Sequence, residues 1–94
     1  MYLDDFLWLP DVVEKLIVKH RVSQDEVEEV FFNDPQYRFV EKGYRQGENV
    51  YAALGQTDAG RYLIVFFIHK SGNIALILSA RDMDRRERRR YERE

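Results

Sequence analysis

The sequence contains no cysteine, two prolines and five glycines among its 94 residues. Without cysteine the chain forms neither disulfides nor thiolate metal sites, which favours a reducing compartment. Its apolar runs fall far short of the roughly 20 residues that a membrane helix needs, and its first residues lack the basic and then apolar pattern of a secretory signal. We therefore expect a soluble, cytoplasmic protein with no membrane partner.

Hydrophobic residues make up 45% of the chain and charged residues 34%, which is typical of one globular domain over residues 1–94. The charge is unevenly distributed: residues 1–34 carry nine acidic side chains against three basic ones, whereas residues 81–94 carry seven arginines against five acids. This division predicts an acidic surface and a basic surface that attracts an anionic ligand. A solvated acidic helix and a frayed basic tail are the alternative.

The segment 61–81 is typical of two buried strands joined by a tight turn. Two unbroken apolar runs flank Ser71-Gly72, and runs of this length between turn residues indicate strands buried on both faces. If the turn is centred on Ser71-Gly72, Arg81 lies opposite Tyr62 and beside Arg61. We therefore expect Arg61 and Arg81 to share a site, although a shift of one residue would turn Arg81 to the other face.

The rest of the chain predicts an α+β fold. Pro10 is placed to open a first helix, and Ser23 with Glu26 forms the capping-box signature of a second helix. We expect an antiparallel sheet of three to five strands with these two N-terminal helices packed on one face. The last strand is expected to end near Ser79, before a basic C-terminal helix over about residues 82–93. That helix offers little apolar area, so we expect it to be loosely held or completed by a partner.

Several short segments stand in order along nearly the whole chain. The most specific is Ser79-Ala80-Arg81 followed by Glu87-Arg88 and Tyr91. The others are Phe6-Leu7-Trp8, Lys19-His20, Val22-Ser23, Phe32 with Asp34-Pro35, Gly55 with Thr57, and Gly60-Arg61. Together these segments resemble the BrnT toxins, small ribonucleases of bacterial type II toxin–antitoxin modules with a RelE-like fold.

The resemblance implies an endoribonuclease that cleaves mRNA without a metal or another cofactor. It also implies a cognate antitoxin that holds the toxin inactive, expected to be a ribbon-helix-helix DNA-binding protein, and the chain is compatible with a homodimer. The sequence departs from the family at Val50 and Gln56, where relatives commonly carry arginine. A catalytically inactive relative that serves as a protein- or nucleic-acid-binding module is therefore the alternative.

Metal-free RNA cleavage needs a base for the 2′-hydroxyl proton, cations for the charge on the scissile phosphate, and an acid for the leaving oxygen. Arg61 and Arg81 are the candidate cations, because a planar guanidinium group binds phosphate oxygens in a bidentate manner. His20 is a candidate acid or base because histidine titrates near neutral pH, and Glu48 is a candidate base. Each has a structural alternative: the arginines pair with acids, His20 caps its helix, and Glu48 is an exposed strand-end acid.

Other basic side chains are candidates for phosphate contacts that carry no sequence information. An acidic antitoxin segment would be attracted to them equally. Near the candidate base, the sequence predicts His69 roughly opposite Glu48. No metal site is expected, since the chain has two histidines and no cysteine. The candidate nucleic-acid-binding residues are Lys19, Arg45, Arg85, Arg88 and Arg89.

Overall fold

The computed structural model describes residues 1–94 and contains a five-stranded sheet in the order β1-β5-β4-β3-β2. None of its helices combines the length and the apolar composition required to span a membrane. The elements are β1 (Asp5–Leu7), α1 (Pro10–Lys15), a π-helical turn (Leu16–His20), α2 (Gln24–Phe32), β2 (Gln36–Glu41), β3 (Val50–Gln56), β4 (Tyr62–Lys70), β5 (Ile74–Asp82) and α3 (Arg85–Arg93).

The sheet is mixed, which corrects the prediction of an antiparallel sheet. Strands β2 to β5 form an antiparallel meander, but β1 runs parallel to β5 at the edge. A parallel neighbour requires a long crossover connection, and here the whole chain from α1 to β4 lies between the two strands. Local sequence pattern identifies a strand but does not identify such a distant neighbour, and β1 has only three residues.

The alternation of side chains divides the sheet into two faces. On the first, which we call the helix face, the N-terminal helical segments bury residues such as Leu16 and Val27 against Val65 and Phe67 of β4. On the second, which we call the α3 face, α3 packs through Tyr91 over a smaller apolar cluster. The buried members of that cluster are Ala52, Leu54 and Ile64. The helices therefore lie on both faces of the sheet.

The N-terminal helices begin where the sequence predicts. Pro10 occupies the first turn of α1. At α2 the Ser23 hydroxyl accepts the backbone N–H of Glu26 at 3.1 Å, and the Glu26 carboxylate accepts the N–H of Ser23 at 3.1 Å, so the predicted capping box is confirmed. Between α1 and α2, the π-helical turn ends at Arg21, whose φ of 53° lies in the left-handed region. This abrupt stop leaves carbonyl groups at the end of the turn that need donors.

Strand β5 is longer and α3 begins later than the sequence predicts. Backbone pairing with β4 carries β5 past Ser79 as far as Asp82. The helix then begins at Arg85, because Asp84 accepts the backbone N–H of Glu87 at 2.7 Å and thereby caps it. The helix is also docked by more than its small apolar area, since Gln36 donates to the Tyr91 carbonyl at 2.8 Å.

Candidate functional site

The central hairpin places Arg61 and Arg81 on opposite faces of the sheet. Arg81 lies opposite Ile64, two residues beyond Tyr62, because the turn has three residues and β5 contains a bulge. Tyr62 and Ile64 project from the α3 face, and Arg81 projects with them. Arg61 immediately precedes Tyr62 and projects from the helix face. The predicted side-by-side placement of the two arginines is therefore wrong.

On the helix face, every N–H of the Arg61 guanidinium group is engaged. Its Nε and Nη2 donate to the two carboxylate oxygens of Asp82 at 2.7 and 3.1 Å. Its Nη1 donates to the carbonyl of Arg21 at 2.7 Å and to Glu26 at 3.2 Å, and its Nη2 donates to the carbonyl of His20 at 3.0 Å. Arg61 thus ties the end of the π-helical turn to α2 and β5, and it has no free donor for a phosphate.

The charges around Arg61 reinforce one another. The hydrogen bonds from Arg61 lower the pKa of Asp82 by more than partial desolvation raises it, and the charges of Arg61 and His20 lower it further. The same hydrogen bonds, with those to Glu26, raise the pKa of Arg61 above its ordinary value. His20 therefore lies near Asp82, with its side chain partly buried. Of the four predicted catalytic residues, the structure brings together Arg61 and His20.

Arg81 is held on the α3 face with part of its hydrogen-bonding capacity unused. Its Nη1 and Nη2 donate to the two carboxylate oxygens of Glu87 at 2.7 and 2.9 Å, and Nη1 also donates to the carbonyl of Asp82 at 3.1 Å. The guanidinium carbon lies 5.8 Å from the centre of the Phe66 ring. The Nε–H and the second N–H of Nη2 donate to no group of the chain, and these two form one edge of the planar fork. That edge is a free bidentate donor on a side chain that is 36% exposed.

Glu87 is a site residue that the sequence analysis did not single out. Its carboxylate accepts from Arg81 and, at 2.9 Å, from the backbone N–H of Asp84. The hydrogen bonds from Arg81 lower the pKa of Glu87 most, and the charges of Arg81 and Arg38 add to the effect. Arg38 is thus a second cation on this face, and its Nη2 is buried without a hydrogen-bond partner. The available signal was the spacing of Asp84 and Glu87, which matches a capping box.

Glu48 lies at the far end of the sheet from Arg81. Its carboxylate pairs with Lys70 at 3.2 Å and not with the predicted neighbour His69, because the register of β3 and β4 brings Lys70 to it. Arg45, the nearest cation in sequence, donates no side-chain hydrogen bond to it. Lys70 is six residues along β4 from the position opposite Arg81, so Glu48 and Arg81 are roughly 20 Å apart.

The predicted nucleic-acid-binding residues lie in three separate parts of the chain, with three of them on α3. Lys19 and Arg45 are exposed, on the π-helical turn and in the loop before β3. The guanidinium carbon of Arg88 lies 3.9 Å from the centre of the Tyr62 ring, and its Nε lies 3.8 Å from a carboxylate oxygen of Glu92. Its charge is therefore partly compensated within the chain. Arg85 and Arg89 are exposed on α3. The structure therefore does not assemble these five residues into one surface.

Comparison with known protein families gives a match over most of the chain. The model of the family described as "Ribonuclease toxin, BrnT, of type II toxin-antitoxin system" matches residues 8–87. The matched region includes Arg61 with its partners on the helix face and Arg81 with Glu87 on the α3 face. No individual curated protein matches the chain.

Proposed function

Because the chain belongs to the BrnT family of ribonuclease toxins of type II toxin–antitoxin systems, we propose that it is a metal-independent endoribonuclease. In this proposal it cleaves mRNA in the cytoplasm and is neutralised by a cognate antitoxin. The observation that carries the proposal is the free edge of Arg81. A guanidinium group held by Glu87, with two unused N–H donors, can bind two oxygens of a scissile phosphate without giving up its ion pair.

The chemical role of Arg81 follows from its charge and its orientation. When the 2′-oxygen attacks the phosphorus atom, negative charge accumulates on the non-bridging oxygens, and a fixed cation stabilises that charge in the transition state. Hydrogen bonding to Glu87 raises the pKa of Arg81 above its ordinary value, so the cation persists at every physiological pH. Arg81 can therefore supply by itself the electrostatic stabilisation that a metal ion supplies in other nucleases.

The other predicted catalytic roles remain predictions. Arg61 and His20 lie together on the helix face, and Glu48 lies at the opposite end of the sheet, so none of them is placed beside Arg81. The hydrogen bonds of Arg61 favour a structural contribution. Substituting His20 and Glu48 by glutamine, each assayed for cleavage, tests the acid and base roles.

The α3 face also carries a surface with the character of a protein-binding site, roughly 13 Å along β4 from the position opposite Arg81. Four apolar side chains lie next to one another across four strands of the α3 face, and each is at least partly exposed. An apolar row with a cation farther along the same face fits an amphipathic segment that carries an acidic residue at its end. In this proposal a ribbon-helix-helix antitoxin covers the row and places a carboxylate on the free edge of Arg81. The row consists of Leu7, Leu76, Ile68 and Val50.

The direct test is incubation of the purified chain with a labelled single-stranded RNA in the presence of a chelator. We expect cleavage products that end in a 2′,3′-cyclic phosphate. We expect Arg81→Lys to cleave about a hundredfold more slowly, because lysine keeps the charge but loses the planar fork. Arg21→Lys is the matched control, since Arg21 has no contact with Arg81 and only its backbone groups are hydrogen-bonded, the carbonyl by Arg61 on the helix face.

Two results would count against the proposal. Full activity of Arg81→Lys would remove the site assignment. Binding of RNA by the wild-type chain without any cleavage would identify the inactive binding module instead. For the antitoxin, we expect growth arrest on expression in bacteria, relieved by the protein from the neighbouring gene, and competition between that protein and RNA for the purified toxin.

A further inference from the structure

Four arginines form an unpaired stripe along the outer side of α3. They recur at helical positions i, i+3, i+4 and i+7, which places them on one side of the helix. They alone line a shallow surface cleft, and none of them forms an ion pair with a carboxylate of the chain. We call this set the arginine stripe; it consists of Arg86, Arg89, Arg90 and Arg93.

The stripe is unpaired because the nearby acids are committed elsewhere. Asp84 caps the helix, and each of the three glutamates of this segment faces a different cation. These pairs are Glu87 with Arg81 at 2.7 Å, Glu92 with Arg88 at 3.8 Å, and Glu94 with Arg38 at 4.0 Å. The stripe therefore keeps four uncompensated positive charges, although the chain as a whole has a net charge of −2.

The chemistry of the stripe fits a polyanion better than a protein surface. A stable protein interface has an apolar centre, whereas no apolar residue lines this cleft. Contacts to a nucleic-acid backbone are electrostatic and need no apolar area. From Arg86 to Arg93 the helix rises about 10 Å, which spans about three phosphates of a stacked strand at roughly 3.4 Å per nucleotide.

We propose that the arginine stripe is a binding site for the RNA backbone, separate from the scissile phosphate. Arg86 is adjacent in sequence to Glu87, which holds Arg81, so the stripe begins one residue from the ion-pair partner of Arg81 and continues along α3. The identification of the ligand as RNA rests on the proposed function. The stripe holds the substrate, and Arg81 acts on the reacting phosphate.

The experiment measures binding to a fluorescent single-stranded RNA that carries 2′-O-methyl groups throughout, so that it is not cleaved. Replacing all four stripe arginines by glutamine preserves helix propensity, and circular dichroism verifies the fold. We expect weaker binding and a plot of log K against log salt concentration that is less steep by about 2 to 3, at roughly 0.7 per charge removed. In cleavage assays we expect KM to rise while kcat stays unchanged.

A pair of double variants provides the matched control. Arg89→Gln with Arg93→Gln should weaken binding, whereas Lys15→Gln with Lys42→Gln removes the same charge from exposed positions elsewhere and should have little effect. Equal effects of the two pairs, or an unchanged salt slope in the four-residue variant, would overturn the proposal. Loss of antitoxin binding with intact RNA binding would overturn it in favour of a protein partner.

The outcomes separate this proposal from the proposed function. A wild-type chain that binds RNA through the stripe but does not cleave it supports the stripe and refutes the nuclease. A chain that cleaves RNA equally well, with the same KM, without the stripe supports the nuclease and refutes the stripe.

Discussion

Replacing Arg61 by alanine tests whether this arginine holds the fold together. The change removes the donors from the His20 and Arg21 carbonyls and leaves the Glu26 and Asp82 carboxylates without their shared cation. A hydrogen bond to a carbonyl contributes a net of about 1 kcal/mol. Each ion pair adds about 0.5 kcal/mol, because the carboxylate of Asp82 is 62% exposed and solvent screens it. We therefore expect the free energy of unfolding to fall by about 3 kcal/mol.

The expected loss is large but leaves a folded protein. A chain of 94 residues has a free energy of unfolding on the order of 5–14 kcal/mol. At about 4–8 °C per kcal/mol for a domain of this size, the melting temperature falls by about 12–24 °C. Urea titration and thermal melting followed by circular dichroism measure both quantities. Arg61→Lys is the companion variant, and it should recover less than half of the loss because it cannot bind two carboxylates and two carbonyls at once.

Two results would refute this reasoning. One is an Arg61→Ala variant within about 0.5 kcal/mol of the wild type, the range of an ordinary surface substitution. The other is a variant of full stability that no longer cleaves RNA, which would indicate that Arg61 takes part in catalysis. A destabilised variant that still cleaves RNA at low temperature would confirm the structural role.

Three further predictions concern stability. Because hydrogen bonds from Arg81 lower the pKa of Glu87 below its ordinary 4.5, the stabilisation from this pair is complete above that value and is lost as the pH falls below it; melting temperatures between pH 6 and pH 3 should fall more in the wild type than in Glu87→Gln. Gly43→Ala should destabilise the chain by about 1–3 kcal/mol in urea titration, because a Cβ there would overlap the carbonyl of Glu48; an unchanged midpoint would show that the loop adapts. Ser23→Ala should cost about 1 kcal/mol, whereas Ser23→Asp, which can also cap α2, should cost less than half of that in the same titration.

The sequence was informative where the deciding interactions are local. The capping box of Ser23 and Glu26 involves residues three apart, so its pattern is visible in the chain. The two apolar runs identified β4 and β5 for the same reason. The start of α3 was also encoded locally, by Asp84 and Glu87. Ser79, where the strand was expected to end, is also a residue type that caps helices, and only the backbone pairing of β5 with β4 decides between the two positions.

The site was less predictable because it depends on which face each residue takes. Opposition to Tyr62 already places Arg81 on the face of Tyr62, and Arg61 is the neighbour of Tyr62. Strict alternation therefore separates the two arginines both in the predicted register and in the observed one, which differs from it by two residues. The partners that fix the orientation of Arg61 come from two distant segments, at Glu26 and Asp82. No sequence pattern links such distant segments. The sequence alone therefore could not show that Arg81 keeps two free N–H donors whereas all N–H donors of Arg61 are hydrogen-bonded.

The parallel pairing of β1 with β5 has a consequence for the order of assembly. Asp5 pairs with Ile74, and β5 lies between β1 and β4. Strand β1 therefore cannot join the sheet until β5 has been synthesised. Contacts this distant in sequence slow folding, since a long loop must close before they form. The nascent chain therefore cannot complete its sheet while β5 is still inside the ribosome, and the surface that carries Arg81, a residue of β5, forms only after that strand has emerged.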